Sequence, residues 1–146
     1  MLDAIKAAIP HREPFLLVDE VLEVDAGHAR AATTLRPDGE LWSRVYAGHY
    51  PGNPITPGVL LLEMLFQAAG VMIHANLKGS ALSGVPVVTR INNVKFKNMA
   101  RPGDRVDIAV SLAERMGNAF FCSGAATIGG KTAIQAEFAL ALVEQG

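Results

Sequence analysis

The sequence predicts an α+β fold in which a curved antiparallel sheet wraps around one long central helix. One observation is a stretch from Val59 to Ile73 that is apolar on nearly every side, the pattern of a helix buried within a core. Another is the second half of the chain, where apolar residues recur at every other position, the period of a strand. The third is size: 146 residues, 50% of them hydrophobic, suit one domain (1–146) with one sizeable core.

The elements follow in order. Residues 2–8 form a short helix before Pro10. Phe15 to Val24 and Ala29 to Leu35 read as strands joined at Asp25-Ala26-Gly27, and Arg36-Pro37-Asp38-Gly39 as a turn. A loop rich in glycine and proline covers Gly48 to Thr56. The long helix comes next, with Thr56 as its cap and Pro57 at its first position, where the missing N–H costs nothing. It runs to about Leu77 and stops near Gly79. Val85 to Phe96 is a strand leading to a turn at Pro102-Gly103. Val106, Ile108, Val110 and Leu112 share one strand face, and Phe120, Cys122, Gly124, Ala126 and Ile128 another. Gly129-Gly130 makes a tight hairpin into the last strand, where Ile134, Ala136, Phe138, Leu140 and Leu142 alternate with Gln135 and Glu137.

Composition narrows the function. A formal net charge of −1 supplies no basic field for nucleic acid. The single cysteine, Cys122, cannot form a disulfide within the chain, and no Cys/His spacing suggests a metal. The residues after Met1 lack a charged-then-apolar leader, and Val59 to Ile73 is too short to span a bilayer. These features predict a soluble cytoplasmic protein.

The chemistry gathers around the start of the long helix. Glu63, Gln67, Gly70 and His74 share one helix face, at intervals of three and four residues. A solvent-exposed stripe would explain them. The stripe is narrow, however, and flanked by Leu60, Met64 and Val71, so a carboxylate there would be partly desolvated. Desolvation favours the protonated carboxyl group that a general acid requires. Gln67, one turn on, could orient Glu63 by a hydrogen bond. His49 lies in the preceding loop, Gly48-His49-Tyr50-Pro51-Gly52; a lone loop histidine is often a surface or packing residue, but prolines and glycine would hold this one rigidly. Gly58 leaves a helix-start N–H unobstructed, and the helix dipole would support it as an oxyanion donor; it also fits an ordinary helix-start glycine. Gly58 and Gln67 are therefore the candidate oxyanion and substrate-binding positions.

Residues 48–69, GHYPGNPITPGVLLLEMLFQAA, resemble the signature of the 3-hydroxyacyl-acyl carrier protein dehydratases of the FabZ type. The early PHREPFLLVD (residues 10–19) is similar to that family's opening segment, and INNVKFK (91–97) with RPGD (101–104) to its third block. The resemblance implies a hot-dog fold and dehydration of (3R)-3-hydroxyacyl-acyl carrier protein to the trans-2-enoyl product. It implies His49 as base, Glu63 of the facing subunit as acid and the Gly58 N–H on the thioester oxygen. A homodimer, often a trimer of dimers, is implied as well. The implied chemistry needs no metal or redox cofactor, and the phosphopantetheine arm belongs to the carrier. The acidic carrier would meet basic groups at the site mouth, for which Lys95, Lys97 and Arg101 are candidates; ordinary solvated charge is the plainer explanation. His11 is expected to be structural and His28 exposed in a hairpin.

The chain departs from the family pattern at several positions. Asn53 stands where members often have His or Asp, and Glu13 replaces a common tyrosine. Val87, Val88 and Arg90 replace an aromatic-rich segment that lines the acyl tunnel in many members, and Asn98-Met99 a frequent Arg-Pro pair. These changes leave the reaction type intact and open the questions of acyl-chain length and pathway. Two other functions compete: a hot-dog acyl thioesterase, in which His49 would have no clear task, and a non-catalytic acyl-carrier-binding module, which would have no need of the His49–Glu63 pair.

Overall fold

The computed structural model describes residues 1–144. In chain order the elements are α1 (Leu2–Ala8), β1 (Glu20–Val24), β2 (His28–Thr34), α2 (Glu40–Gly48), α3 (Gly58–Asn76), β3 (Val85–Phe96), β4 (Arg105–Met116), β5 (Ala119–Ile128) and β6 (Lys131–Val143). The strands form one antiparallel six-stranded sheet in the order β1-β2-β4-β5-β6-β3.

Helix α3 packs on one face of this sheet because nearly all of its surface is apolar. Met64, Leu65, Met72 and Ile73 have no exposed surface, and Leu61, Ala68 and Ala69 are almost as enclosed. Each large apolar side chain buried in this way contributes about 1.5–3 kcal/mol relative to an exposed one. The whole of α3, at 19 residues and mean hydropathy 1.6, is longer than the apolar stretch Val59 to Ile73 and has by length and composition alone what a bilayer-crossing helix needs. Its burial against the sheet marks it as a core helix.

The strand registers decide which side chains face α3. Ala31, Ile108, Ala126 and Ile134 are directly paired across β2, β4, β5 and β6, and all are buried. Phe96 on β3 continues this row opposite Ile134. The adjacent row, Arg30, Ala109, Ala125, Gln135 and Lys95, therefore faces away from the helix.

Two expectations need correction at the N-terminal side of the fold. The first strand is shorter than Phe15 to Val24, starting only at Glu20. In residues 15–17 a side chain takes two backbone groups that a ladder would use: Gln67 accepts from the Leu17 N–H at 2.8 Å and donates to the Phe15 carbonyl at 2.9 Å. A helix not anticipated from the sequence, α2, fills residues 40–48. Leu41, Trp42, Val45 and Tyr46 place its apolar surface on one side, and the Trp42 and Tyr46 rings stack with centroids 5.9 Å apart.

Candidate active site

Helix α2 ends at Gly48, so it delivers His49 directly into the loop that precedes α3. The His49 Nδ1 lies 2.6 Å from the Ile55 carbonyl oxygen. A carbonyl only accepts, so Nδ1 carries the proton and Nε2 of the neutral ring keeps its lone pair. That tautomer is the one a general base needs. The Tyr50 ring meets the imidazole edge-on at 4.7 Å. Tyr50 itself holds a φ of 53°, a left-handed conformation that costs a non-glycine residue roughly 1–3 kcal/mol. The chain tolerates this cost beside His49, and the Asn53 N–H closes the turn on the Tyr50 carbonyl at 2.9 Å.

Thr56 does not cap α3. Its hydroxyl bonds the Tyr46 hydroxyl at 2.8 Å, and its N–H donates to the Ala100 carbonyl at 2.8 Å. The buried phenol of α2, invisible to a reading that lacked that helix, takes the group that would otherwise cap. Burial is the main cause that raises the Tyr46 pKa. Pro57 becomes the N-cap and the helix begins one residue later than expected, at Gly58. Among the described residues, the Gly58 and Val59 N–H groups have no hydrogen-bond acceptor. The helix start thus presents free donors at its positive end.

Phe96 lies against Gly58. A β-carbon at residue 58 would overlap the edge of this ring, with Cδ1 at 2.6 Å. A larger residue at 58 would have to displace this exposed ring, so glycine leaves both the ring and the amide unobstructed.

Glu63 is half-buried, and the polar stripe on its helix face is not a solvated surface. Gln67 is fully buried and Gly70 is covered; His74 alone of the four is exposed. The segment leading from α1 towards β1 covers the stripe: a β-carbon at Gly70 would meet the Ile9 Cγ2 at 2.8 Å. Gln67 donates from Nε2 to the Glu63 Oε2 at 2.9 Å, as its position one turn on suggested. Its assignment as a substrate-binding residue is corrected, because every polar atom of its buried amide is engaged by Glu63, Phe15 and Leu17.

His11, expected to be structural, reaches the site. Its Nε2 lies 3.4 Å from the Glu63 Oε2. Sequence reasoning missed this because 52 residues separate the two positions; its proximity to the polar helix stripe was the missing information. Glu63 and His11 border a cavity of about 370 Å³ whose walls include Ile9, Phe66, Val88 and Leu140. A larger concavity of about 840 Å³ lies along the Arg30–Lys95 row, on the sheet face turned away from α3. Its distance from His49 and Glu63 sets it apart from the chemistry.

His49 does not line the Glu63 cavity, and no hydrogen bond or ion pair joins the two among the described residues. The candidate docking cations also separate. Arg101 donates to Asn53 Oδ1 at 2.9 Å, which ties it to the His49 loop. Lys97 is exposed just beyond β3, whereas Lys95 projects from the outer sheet face. Glu13 turns outward and pairs with Lys6 at 2.9 Å. His28 is exposed, as expected.

Comparison with known proteins places these features in a family. In fold, the chain is similar to the dehydratase heterocomplex ApeI:P from Xenorhabdus doucetiae, with a TM-score of 0.81 at 21% identity over 97% of this chain and 91% of the other. A hypothetical thioesterase protein with coenzyme A from Streptococcus pneumoniae shares the fold more distantly, with a TM-score of 0.65 at 15% identity over 86% and 89% of the respective chains. A family model described as a FabA-like domain matches residues 9–137. The 3-hydroxyacyl-[acyl-carrier-protein] dehydratase FabZ of Campylobacter lari is 35% identical over 97% of this chain and 96% of its own length. The enzyme of the same name from Clostridium acetobutylicum is 35% identical over 97% of each. The chain belongs to the FabA-like family of hot-dog dehydratases, on its FabZ side.

Proposed function

We propose that this chain removes water from a (3R)-3-hydroxyacyl group held as a thioester on acyl carrier protein, giving the trans-2-enoyl thioester, in fatty acid or related polyketide or polyene synthesis. The observation that carries the proposal is His49: its Nδ1 is committed to the Ile55 carbonyl, which leaves Nε2 as a base. The thioester acidifies C2. His49 Nε2 takes a C2 proton, and the electron pair passes to the thioester oxygen, where the Gly58 N–H stabilises the developing charge. The C2–C3 double bond then forms as the C3–O bond breaks, and Glu63 protonates the departing hydroxyl. Water leaves, and return of the proton from His49 to Glu63 through solvent resets the site. Elimination of water changes no oxidation state overall, so these steps need no redox cofactor, and the Gly58 N–H supplies the stabilisation of the thioester oxygen that a Lewis acid would otherwise give. The phosphopantetheine arm arrives with the carrier.

The site is completed by a second copy of the chain. Within one chain His49 stands apart from the Glu63 cavity. Strand β3 is a 12-residue edge strand with Val87, Ile91 and Phe96 exposed. So long and apolar an edge is a template for pairing with another chain. Antiparallel pairing of two β3 strands would cover these residues and let each His49 face the partner's Glu63. Arg101, tied to the His49 loop through Asn53, and the exposed Lys97 just beyond β3 are the better placed cations for an acidic carrier. Lys95 would contribute only through the longer-range field. A cytoplasmic setting fits the free thiol of Cys122.

The test offers carrier-linked 3-hydroxyacyl and saturated acyl thioesters of graded chain length to the purified protein. Enoyl thioester should form from the first, with the second left intact. Release of free carrier thiol from the saturated substrate would favour the thioesterase reading, and binding without any turnover the non-catalytic one.

A further inference from the structure

His11 is the histidine that the proposed mechanism leaves without a task, yet its position is tightly determined. Arg12 donates from Nη1 to the Ile9 carbonyl at 2.9 Å and to the His11 carbonyl at 2.7 Å, and from Nη2 to the Lys6 carbonyl at 3.1 Å. One guanidinium thus ties the end of α1 to the following turn and directs His11 towards α3. The His11 ring borders the cavity, with Nε2 3.4 Å from Glu63 Oε2. The other ring nitrogen, Nδ1, is buried and has no hydrogen-bond partner.

The lone Nδ1 decides the tautomer. A proton there would be a buried donor without an acceptor, which is disfavoured. The proton of the neutral ring therefore sits on Nε2, facing the carboxyl group. Gln67 approaches the same oxygen, Oε2, from the helix. Its own orientation is fixed, because Oε1 must accept from the Leu17 N–H. Gln67 thus donates to Oε2, and the His11 Nε2 stands 3.4 Å from the same oxygen, in contact with it but not aligned as a hydrogen bond. Oε1 of Glu63 is left as the oxygen to carry the acidic proton.

We infer that His11 is a positioning residue: its Nε2–H, together with the Gln67 amide, holds Glu63 Oε2 so that Oε1 presents its proton to the departing hydroxyl. The inference rests on the assignment of Glu63 as the acid. The 3.4 Å contact is not aligned as a hydrogen bond in the free chain. The role requires that substrate binding bring the Nε2–H onto Oε2, as catalytic hydrogen bonds often align only when substrate tightens the site. The role needs a donor at the Nε2 position and does not need an imidazole. Glutamine can place its amide nitrogen there, whereas asparagine reaches only the Nδ1 position and phenylalanine supplies shape alone.

His11→Gln, His11→Asn and His11→Phe separate these properties, with thermal unfolding as a check on folding and steady-state dehydration of a carrier-linked 3-hydroxyacyl substrate as the readout. Loss of one such donor should lower kcat about tenfold in His11→Asn and His11→Phe, with KM nearly unchanged. His11→Gln should stay within about threefold of wild type. Should His11→Phe fail to fold, the Gln and Asn comparison still decides. Full kcat in His11→Phe, equal losses in Gln and Asn, or a rise in KM alone would overturn the inference. Glu63→Gln, measured alongside, separates its failure from that of the mechanism. An inactive Glu63→Gln with an unaffected His11→Phe removes only the role of His11. An active Glu63→Gln removes the acid assignment and this inference with it.

Discussion

Gln67→Leu tests the polar tie that links α3 to the segment over the cavity. The wild-type side chain is fully buried and makes hydrogen bonds of 2.8 Å from the Leu17 N–H, 2.9 Å to the Phe15 carbonyl and 2.9 Å to Glu63. Leucine matches its size but none of its polar atoms. The Leu17 N–H, on a residue only 2% exposed, would lose its acceptor at a cost of about 1–3 kcal/mol. Phe15 is exposed, so its carbonyl can turn to water and adds little. Loss of the donor to the Glu63 carboxylate adds about 1.5–3 kcal/mol, and burying leucine in place of an amide returns roughly 1 kcal/mol. The net cost is about 1.5–5 kcal/mol. For a chain of this size each kcal/mol lowers Tm by roughly 4 °C, so the expected fall is on the order of 10 °C. Thermal unfolding followed by circular dichroism at one fixed protein concentration measures it, the concentration being held because assembly shifts Tm. Dehydration should slow as well, since Glu63 loses an orienting donor. A Tm within about 2 °C of wild type would refute the reasoning, because it would mean that the Leu17 N–H finds another partner at no cost.

Other outcomes follow from the same geometry. If each site draws His49 from one subunit and Glu63 from the other, mixing His49→Ala with Glu63→Gln under subunit exchange should restore part of the wild-type activity; background activity despite measured exchange would exclude a shared site. Gly58→Val combined with Phe96→Ala, which removes the ring that a β-carbon would overlap, should give a folded protein slowed by about 10²–10³-fold, and near-normal turnover would place the thioester oxygen elsewhere. Burial pushes the Cys122 thiol up from 9.0 to about 12, so the folded protein should resist alkylation near pH 8 and react once unfolded. Because this pKa is raised in the folded state, the associated stability is fully present below pH 9.0 and is lost as pH rises towards about 12; alanine at this position should flatten that limb of a stability–pH curve.

Much of this arrangement is legible in the residue pattern. The apolar circumference of α3 and the alternation in β4, β5 and β6 arise from burial periodicity, which short-range sequence records directly. The resemblance of residues 48–69 pointed to His49, Gly58 and Glu63, and the structure places each on the element expected for it. Most of the missing parts share a cause: contacts made by side chains on other elements of the fold. Phe15 to Leu17 has strand-like composition, but Gln67, some 50 residues away, takes the backbone groups that a ladder would use. Thr56 is a plausible cap by type, but Tyr46 claims its hydroxyl. His11 is an ordinary loop histidine until α1 and Arg12 turn it towards Glu63. Helix α2 is the exception, since the spacing of Leu41, Trp42, Val45 and Tyr46 was present in the sequence as a local signal. The adjacent Pro-Gly-rich segments drew the reading towards loop.

The most direct test of the central claim is the dehydration rate of His49→Ala and Glu63→Gln on a carrier-linked 3-hydroxyacyl substrate, followed by the absorbance of the conjugated enoyl thioester, with thermal unfolding as a control. Each variant should stay folded and lose about 10²–10⁴-fold in rate, the usual worth of a positioned acid or base. A folded variant of either residue that turns over near the wild-type rate would contradict the account.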